Sequence, residues 1–272
     1  MITFLTWAVP ALALLGFIWF TFRFAWWRKT VPYTEPRVLM YHMVREAIPG
    51  TRFNKMRVAP LLFNRQVEWL ARDGWTFCFL SEILDGSSSN AEKRVVLTFD
   101  DGYQDNLIHA LPVLKKFNAK ATLFPVIHRE AGYDWSTHKK ASHDGGELGR
   151  EPKLSDDEIR TMLDSGLVEL GGHTLKHPSL PALPEEEAYH EIQGCKTALE
   201  STFSVPCRTF CYPFGHFGAR EAELSRKAGF SGAVTTEQGI GSMDPFALPR
   251  VKVSGTEGMF AFRLRMRTGK RG

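Results

Sequence analysis

RVVLTFDDGYQDNLIHALPVLKKFNAKATLFPV, residues 94–126, reads as one strand–helix–strand unit. The runs RVVLTF (94–99) and KATLFPV (120–126) are rich in β-formers, and Leu107, Leu111, Leu114 and Phe117 recur between them at helical spacing. Two strands joined by a helix are parallel neighbours. The alternation continues in both directions. Upstream, VLMYHM (38–43) and WTFCFL (75–80) are strand-like, and Leu62, Phe63, Val67, Leu70 and Ala71 mark a helix over 60–73 that stops at Gly74. Downstream, LVELGG (167–172), RTFCY (208–212), FSGAV (230–234) and LPRVKV (248–253) are strands, with helical segments near 184–202 and 219–228. Ser155 and Glu158 form a capping box for a helix closed by Gly166. About seven or eight strands over some 220 residues, most followed by a helix, predict an α/β fold closed as a (β/α) barrel. Active sites of such barrels gather where strands end.

The 272 residues are 43% hydrophobic and 24% charged, which excludes disorder, collagen and a polytopic membrane protein. Net charge is +4, but residues 1–37 carry +3 and the last twelve +5, so the body between is −4. A mildly acidic body argues against a nucleic-acid groove. Residues 2–22 contain no charge, and a helix of that length spans about 32 Å, one bilayer core. Trp7, Trp19, Trp26 and Trp27 flank the run as interfacial aromatics do. With no basic segment before it and no small-residue cleavage site after it, the run reads as a retained single-pass anchor rather than a signal peptide. The organisation expected is an anchor (1–28), a linker (29–36), one folded domain (37–254) and a basic tail (255–272).

Four constellations close predicted strands. Asp100 and Asp101 are adjacent before Gly102; like charges so close call for a cation or proton, and a bending backbone lets one bind a metal while the other faces substrate. Alone, the pair also fits an Asp-capped turn. His173 and His177 lie four apart, a spacing that lets two imidazoles converge on one ion, and with Asp101 they complete a facial set with open positions. Cys211-Tyr212-Pro213-Phe214-Gly215 is a rigid turn able to aim the Phe214 N–H at a developing oxyanion. Tyr41-His42 ends the first strand, where a lone histidine is structural or catalytic. One barrel face would collect all four.

TFDDGY, HTLKH and the YPFG turn, in this order, resemble the NodB-homology polysaccharide deacetylases of carbohydrate esterase family 4. The likeness covers about residues 37–254. The YHM element, FNRQVEWLARDGW and LPRVKV make it most similar to the poly-N-acetylglucosamine deacetylase branch, which resembles a circularly permuted family member. The resemblance implies a distorted (β/α) barrel. It implies Asp100 as catalytic base, Asp101, His173 and His177 as ligands of a divalent metal, Phe214 as the oxyanion-hole amide, and His42 as general acid. Zinc is the family's common metal, and cobalt or nickel suit the same donors. Two departures stand out. Cys211 replaces the family's usual arginine, so steadying the base falls to Arg250, our preference, or Arg208. No Trp follows Trp135, so the family's Asp/Trp buttress of the acid is not recognisable.

The function expected is removal of N-acetyl groups from an N-acetylhexosamine-containing polysaccharide or glycolipid. Two alternatives share these residues: a metal-dependent O-acetyl esterase, and an inactive membrane-anchored glycan-binding module. Cationic residues after the span favour a cytoplasmic body, whereas polymeric N-acetylglucosamine lies outside, so the side of the membrane and the oligomeric state stay open. Cys78, Cys195, Cys207 and Cys211 read as packed thiols. In the long connection 127–153, His128, His138 and His143 read as solvated, and Tyr133 and Trp135 as rings able to stack on a sugar.

Overall fold

Alternation along β3 (Arg94–Asp101) sorts its side chains into two cores. Val95, Leu97 and Phe99 join the large cluster between strands and helices, while Val96 meets Val38, Phe124, Cys211 and Val234 in a smaller cluster enclosed by strands. The computed structural model describes residues 2–24, 26–88, 92–129 and 146–270. Around β3 stand β1 (Arg37–Tyr41), β2 (Thr76–Phe77), β4 (Ala121–Pro125), β5 (Val168–Leu170), β6 (Thr209–Cys211), β7 (Gly232–Gln238) and β8 (Leu248–Lys252). Every pairing is parallel, in the order β5-β4-β3-β1-β8-β7-β6, with β2 beside the start of β3. The ends of that order meet at Gly172: its N–H donates to the Thr209 carbonyl at 2.8 Å and its carbonyl accepts from the Cys211 N–H at 2.9 Å. The result is the nearly closed parallel barrel that the alternation predicts, with the first strand beside the last.

The helices sheathe the outside. In α2 (Pro60–Arg72), Phe63, Val67 and Leu70 are fully buried, each contributing roughly 1.5–3 kcal/mol. The capping box of α5 (Asp156–Leu163) forms as read: the Glu158 N–H donates to Ser155 Oγ at 3.2 Å, and the Ser155 N–H to Glu158 Oε2 at 2.8 Å. Helix α4 (Leu111–Phe117) is entered through a wider π-turn over Asn106–Ala110, and α6 (Glu185–Phe203) and α7 (Ala219–Lys227) follow.

Two sequence expectations need correction. The strand over 75–80 shrinks to two residues, because the Leu80 N–H is taken by Thr122 Oγ1 at 3.1 Å and the chain turns into α3 (Leu80–Leu84). Within the basic segment 255–272, α8 (Met259–Thr268) buries Ala261, Phe262, Arg265 and Met266, with Phe262 edge-on to Trp69 of α2. Residues Met259–Thr268 are part of the folded body. The uncharged N-terminal run is helical, as α1 (Ile2–Phe24), yet among the described residues no helix is long and apolar enough to cross a membrane. All four cysteines are free and buried.

Candidate active site

Three neighbouring strands send alternate side chains inward and upward: Val38, Met40 and His42; Val96, Thr98 and Asp100; Leu248, Arg250 and Lys252. Met40 pairs in register with both Thr98 and Lys252, so His42 and Asp100 share the next level toward the mouth and Arg250 lies two levels below them. The long Arg250 side chain spans those two levels to reach Asp100, beside which His42 stands.

The Arg250 guanidinium is fully buried and grips Asp100 with both prongs, Nη1 to Oδ1 at 2.7 Å and Nη2 to Oδ2 at 2.8 Å. Its remaining donors go to Thr98 Oγ1, the Thr235 carbonyl and Cys211 Sγ. Burial pushes the Asp100 carboxyl up, but Arg250 and then His42 outweigh it and hold it below the usual carboxylate range. Arg208 is elsewhere, in an exposed pair with Asp85. The choice left between two arginines by the sequence therefore falls to Arg250. His42 Nε2 stands 3.8 Å from Asp100 Oδ2.

Asp101 leaves the strand through a left-handed turn (φ 72°), which swings its carboxylate away from Asp100. Gly102 continues the turn at φ 73°, where a Cβ would press on Pro125 at 3.1 Å. Asp101 Oδ1 lies 3.3 Å from His173 Nε2 and 3.6 Å from His177 Nε2, and the donor atoms of the three lie within 4.8 Å of one another. All three side chains are buried. His173 Nδ1 bonds the Cys211 carbonyl at 2.7 Å, which leaves Nε2 directed at Asp101. Burial opposes a charge on either imidazole. For His173, Cys211 and Asp101 overcome it and raise the group well above its ordinary value; for His177, burial and the charge of His173 hold the group at about 3. Two nitrogens and one carboxylate oxygen, buried and oriented from behind, fit a divalent ion of the zinc, cobalt or nickel type, which would displace the proton on His173.

Strain concentrates here. Asp101, Thr174, His177 and Phe214 are non-glycine residues at φ 72°, 69°, 56° and 59°, each costing roughly 1–2 kcal/mol. Compensation is local: the His177 N–H donates to Thr174 Oγ1 at 2.8 Å, and the Leu175 and Lys176 N–H groups both donate to Glu191 Oε2 at 2.9 Å. Phe214 sits in the Tyr212–Gly215 turn with its ring edge-on to His177, centroids 4.5 Å apart. Gly215 (φ 71°) backs onto Thr236 too closely for any side chain.

These groups line one cleft of about 200 Å³, whose far wall is Phe53, Met56 and Leu148. Arg57 holds that wall: buried, it pairs with Glu147 at 2.9 Å and Glu151 at 2.7 Å, tying the loop after β1 to residues 146–153. No spacing in the sequence marks Arg57, Glu191 or the apolar wall as part of a site. Lys252 also lines the cleft, and its place two residues after Arg250 on one strand is the signal that identifies it. Tyr133, Trp135, His138 and His143 lie outside the described residues.

A family model described as "Polysaccharide deacetylase" matches residues 87–233. The chain belongs to the polysaccharide deacetylase family. The matched interval contains Asp100, Asp101, His173, His177 and Phe214, whereas His42, just past the end of β1, and Arg250, on β8, lie to either side of it. YxkH of Bacillus subtilis, itself assigned to the polysaccharide deacetylases, is 29% identical over 233 residues, 84% of this chain and 75% of the relative. Poly-beta-1,6-N-acetyl-D-glucosamine N-deacetylase of Escherichia coli is 24% identical over 255 residues, 82% of this chain but only 37% of the longer relative. The Streptococcus pyogenes deacetylase PplD superposes with a TM-score of 0.72 at 23% identity, covering 87% of this chain and 100% of that one, a likeness of fold.

Proposed function

We propose that this chain hydrolyses N-acetyl groups on an N-acetylhexosamine-containing polysaccharide or glycolipid, of the poly-N-acetylglucosamine kind on which its Escherichia coli relative is named to act. The observation that carries the reading is the meeting, in one cleft, of the Asp101, His173 and His177 group with an Arg250-bound Asp100 and with His42. A divalent ion held by that group supplies Lewis acidity and makes water more acidic. Asp100, kept ionised by Arg250, takes the proton from the attacking water. The Phe214 N–H donates to the acetyl oxygen as negative charge grows there, a contribution of roughly 3–4 kcal/mol for a well-aimed donor. His42 gives a proton to the sugar nitrogen as the C–N bond breaks, so acetate and a free amine leave. No acyl-enzyme forms.

Incubation with N-acetylated glycans should release acetate and new primary amines in equal amounts. Acetate from O-acetyl esters alone would replace the amidase reading with the esterase one. The acid is tested separately. His42→Ala should slow amide hydrolysis by roughly 10²–10⁴-fold, since an amine leaves poorly without a proton, and slow an activated ester far less. Equal losses on both substrates would make His42 a structural residue.

The catalytic unit of this reading is 37–254 together with the packed helix α8 (Met259–Thr268), held at a membrane through 1–28 and a short linker (29–36). Its support is the uncharged run 2–22 and the exposure of Leu12, Leu15, Phe17, Trp19 and Phe22 on α1. The full chain should sediment with membranes and a variant lacking residues 2–24 should not. A reporter fused after Gly272 reads the side on which the body lies.

A further inference from the structure

Three cations crowd the end of β8, and two of them are answered by carboxylates. Asp100 takes Arg250. Glu257 pairs with Arg265, whose guanidinium also donates to the Lys252 backbone carbonyl. Lys252 lies between them without such a partner: among the described residues, no hydrogen bond or ion pair ties its ammonium. Its side chain follows Arg250 on the inward face of the strand, one level nearer the mouth, and lines the cleft beside Met40, His42 and Asp100. Burial first, and then the charges of Arg250 and Arg265, hold its ammonium below the usual lysine range. The fold thus leaves a lysine in the wall of the cleft with no carboxylate of its own, a pattern more typical of a ligand contact than of a stabilising contact. Partly removed from solvent, it would be less screened by salt than a surface lysine. A single charge on a flexible stem also suits an anion whose position varies, unlike the forked grip of Arg250.

We propose that Lys252 is a specificity-determining residue that binds an oxyanion, phosphate or carboxylate, carried by the glycan, so that the cleft takes neutral poly-N-acetylglucosamine-type chains but binds N-acetylated glycans bearing an oxyanion more tightly. The glycan part of this proposal rests on the deacetylase reading above; the oxyanion part rests on Lys252 alone.

Binding without turnover separates the two. Titration calorimetry on the full chain, zinc-loaded and again stripped of metal so that capture of oxyanions by the ion is not counted, compares N-acetylglucosamine 6-phosphate, N-acetylmuramic acid, neutral N-acetylglucosamine and inorganic phosphate. Both anionic sugars should bind the stripped chain about tenfold more tightly than the neutral sugar, the size of one charge-assisted hydrogen bond. Lys252→Met should bring that ratio to about one, Lys252→Arg should restore it, and Lys252→Glu should turn it against the anionic sugars, with Tm recorded for each variant. No preference for the anionic sugars in the unsubstituted chain, including no binding of either, overturns the proposal. So does an equal effect of Lys252→Met and Lys252→Glu on anionic and neutral sugars, or inorganic phosphate binding as tightly as the sugar phosphate. A chain that binds anionic sugars through Lys252 but releases acetate from no glycan would overturn the deacetylase reading and leave the oxyanion site standing.

Discussion

Asp100→Asn is expected to lower deacetylation by roughly 10²–10⁴-fold while the metal affinity stays within a few-fold of the unsubstituted chain. The division follows from where the two aspartates point. Asp101 turns out of the strand toward His173 and His177, whereas Asp100 continues the inward series of β3 and spends both oxygens on Arg250. An amide at position 100 keeps the shape and one acceptor but cannot take a proton from water. It also sets an NH₂ against a buried guanidinium, so some stability is lost, and Tm belongs beside the rate. His173→Ala gives the contrasting result: it removes a ligand nitrogen and the anchor to the Cys211 carbonyl together, and both metal binding and turnover should fall. Metal titration followed by an acetate-release assay reads the pair. Near-native turnover by Asp100→Asn would remove Asp100 from the base role. Loss of metal from Asp100→Asn, at unchanged fold, would make it a ligand and collapse the distinction between the two carboxylates.

The parts of the site set by alternation were legible from the sequence. TFDDGY closes a strand whose inward residues are those with Asp100, and HTLKH and YPFG each follow a strand that ends at the same rim. Repeated strand–helix units also led directly to a parallel barrel, because buried parallel strands read as apolar runs. Short elements were less legible. WTFCFL has the composition of a strand throughout, but a side-chain acceptor, Thr122 from β4, captures the Leu80 amide and starts a helix. That contact is 42 residues away in sequence, and no local window contains it. The same holds for α8, whose charge masked a buried face formed by Ala261, Phe262 and Met266. The supporting residues of the site were hidden for a related reason. Glu191 reaches the 173–177 loop from the middle of an acidic helix, and Arg57 reaches Glu147 and Glu151 across some ninety residues, so their roles exist only in three dimensions. Arg250 lay between these extremes: a missing family arginine announced the need, and the fold decided which arginine meets it.

Arg250→Met should shift the acidic limb of the activity profile to higher pH, in addition to lowering the rate. Burial pushes the Asp100 carboxyl up and Arg250 is the strongest influence holding it down. With the guanidinium gone, burial dominates, and a base that was ionised throughout the neutral range becomes protonated in part of it. Raising the pH then recovers activity in the variant where it has little effect on the unsubstituted chain. A role confined to packing would lower the rate by one factor at every pH. Stability carries the same sign. In the unsubstituted chain the Asp100 value is below that of the unfolded state, so its contribution is present above the unfolded carboxyl value, roughly pH 4, and is lost as pH falls through the lower folded value. In Arg250→Met the folded value rises above the unfolded one, so the variant pays for a lone buried carboxylate at pH 7, about 3–5 kcal/mol, and the difference shrinks as the pH approaches 4 and the carboxyl protonates. Arg250→Lys restores one charge without the fork, and should return the acidic limb toward its original position while recovering only part of the rate, because a single ammonium cannot hold both oxygens of Asp100. An acidic limb that stays in place in Arg250→Met would separate Arg250 from the ionisation of the base and leave it a packing residue.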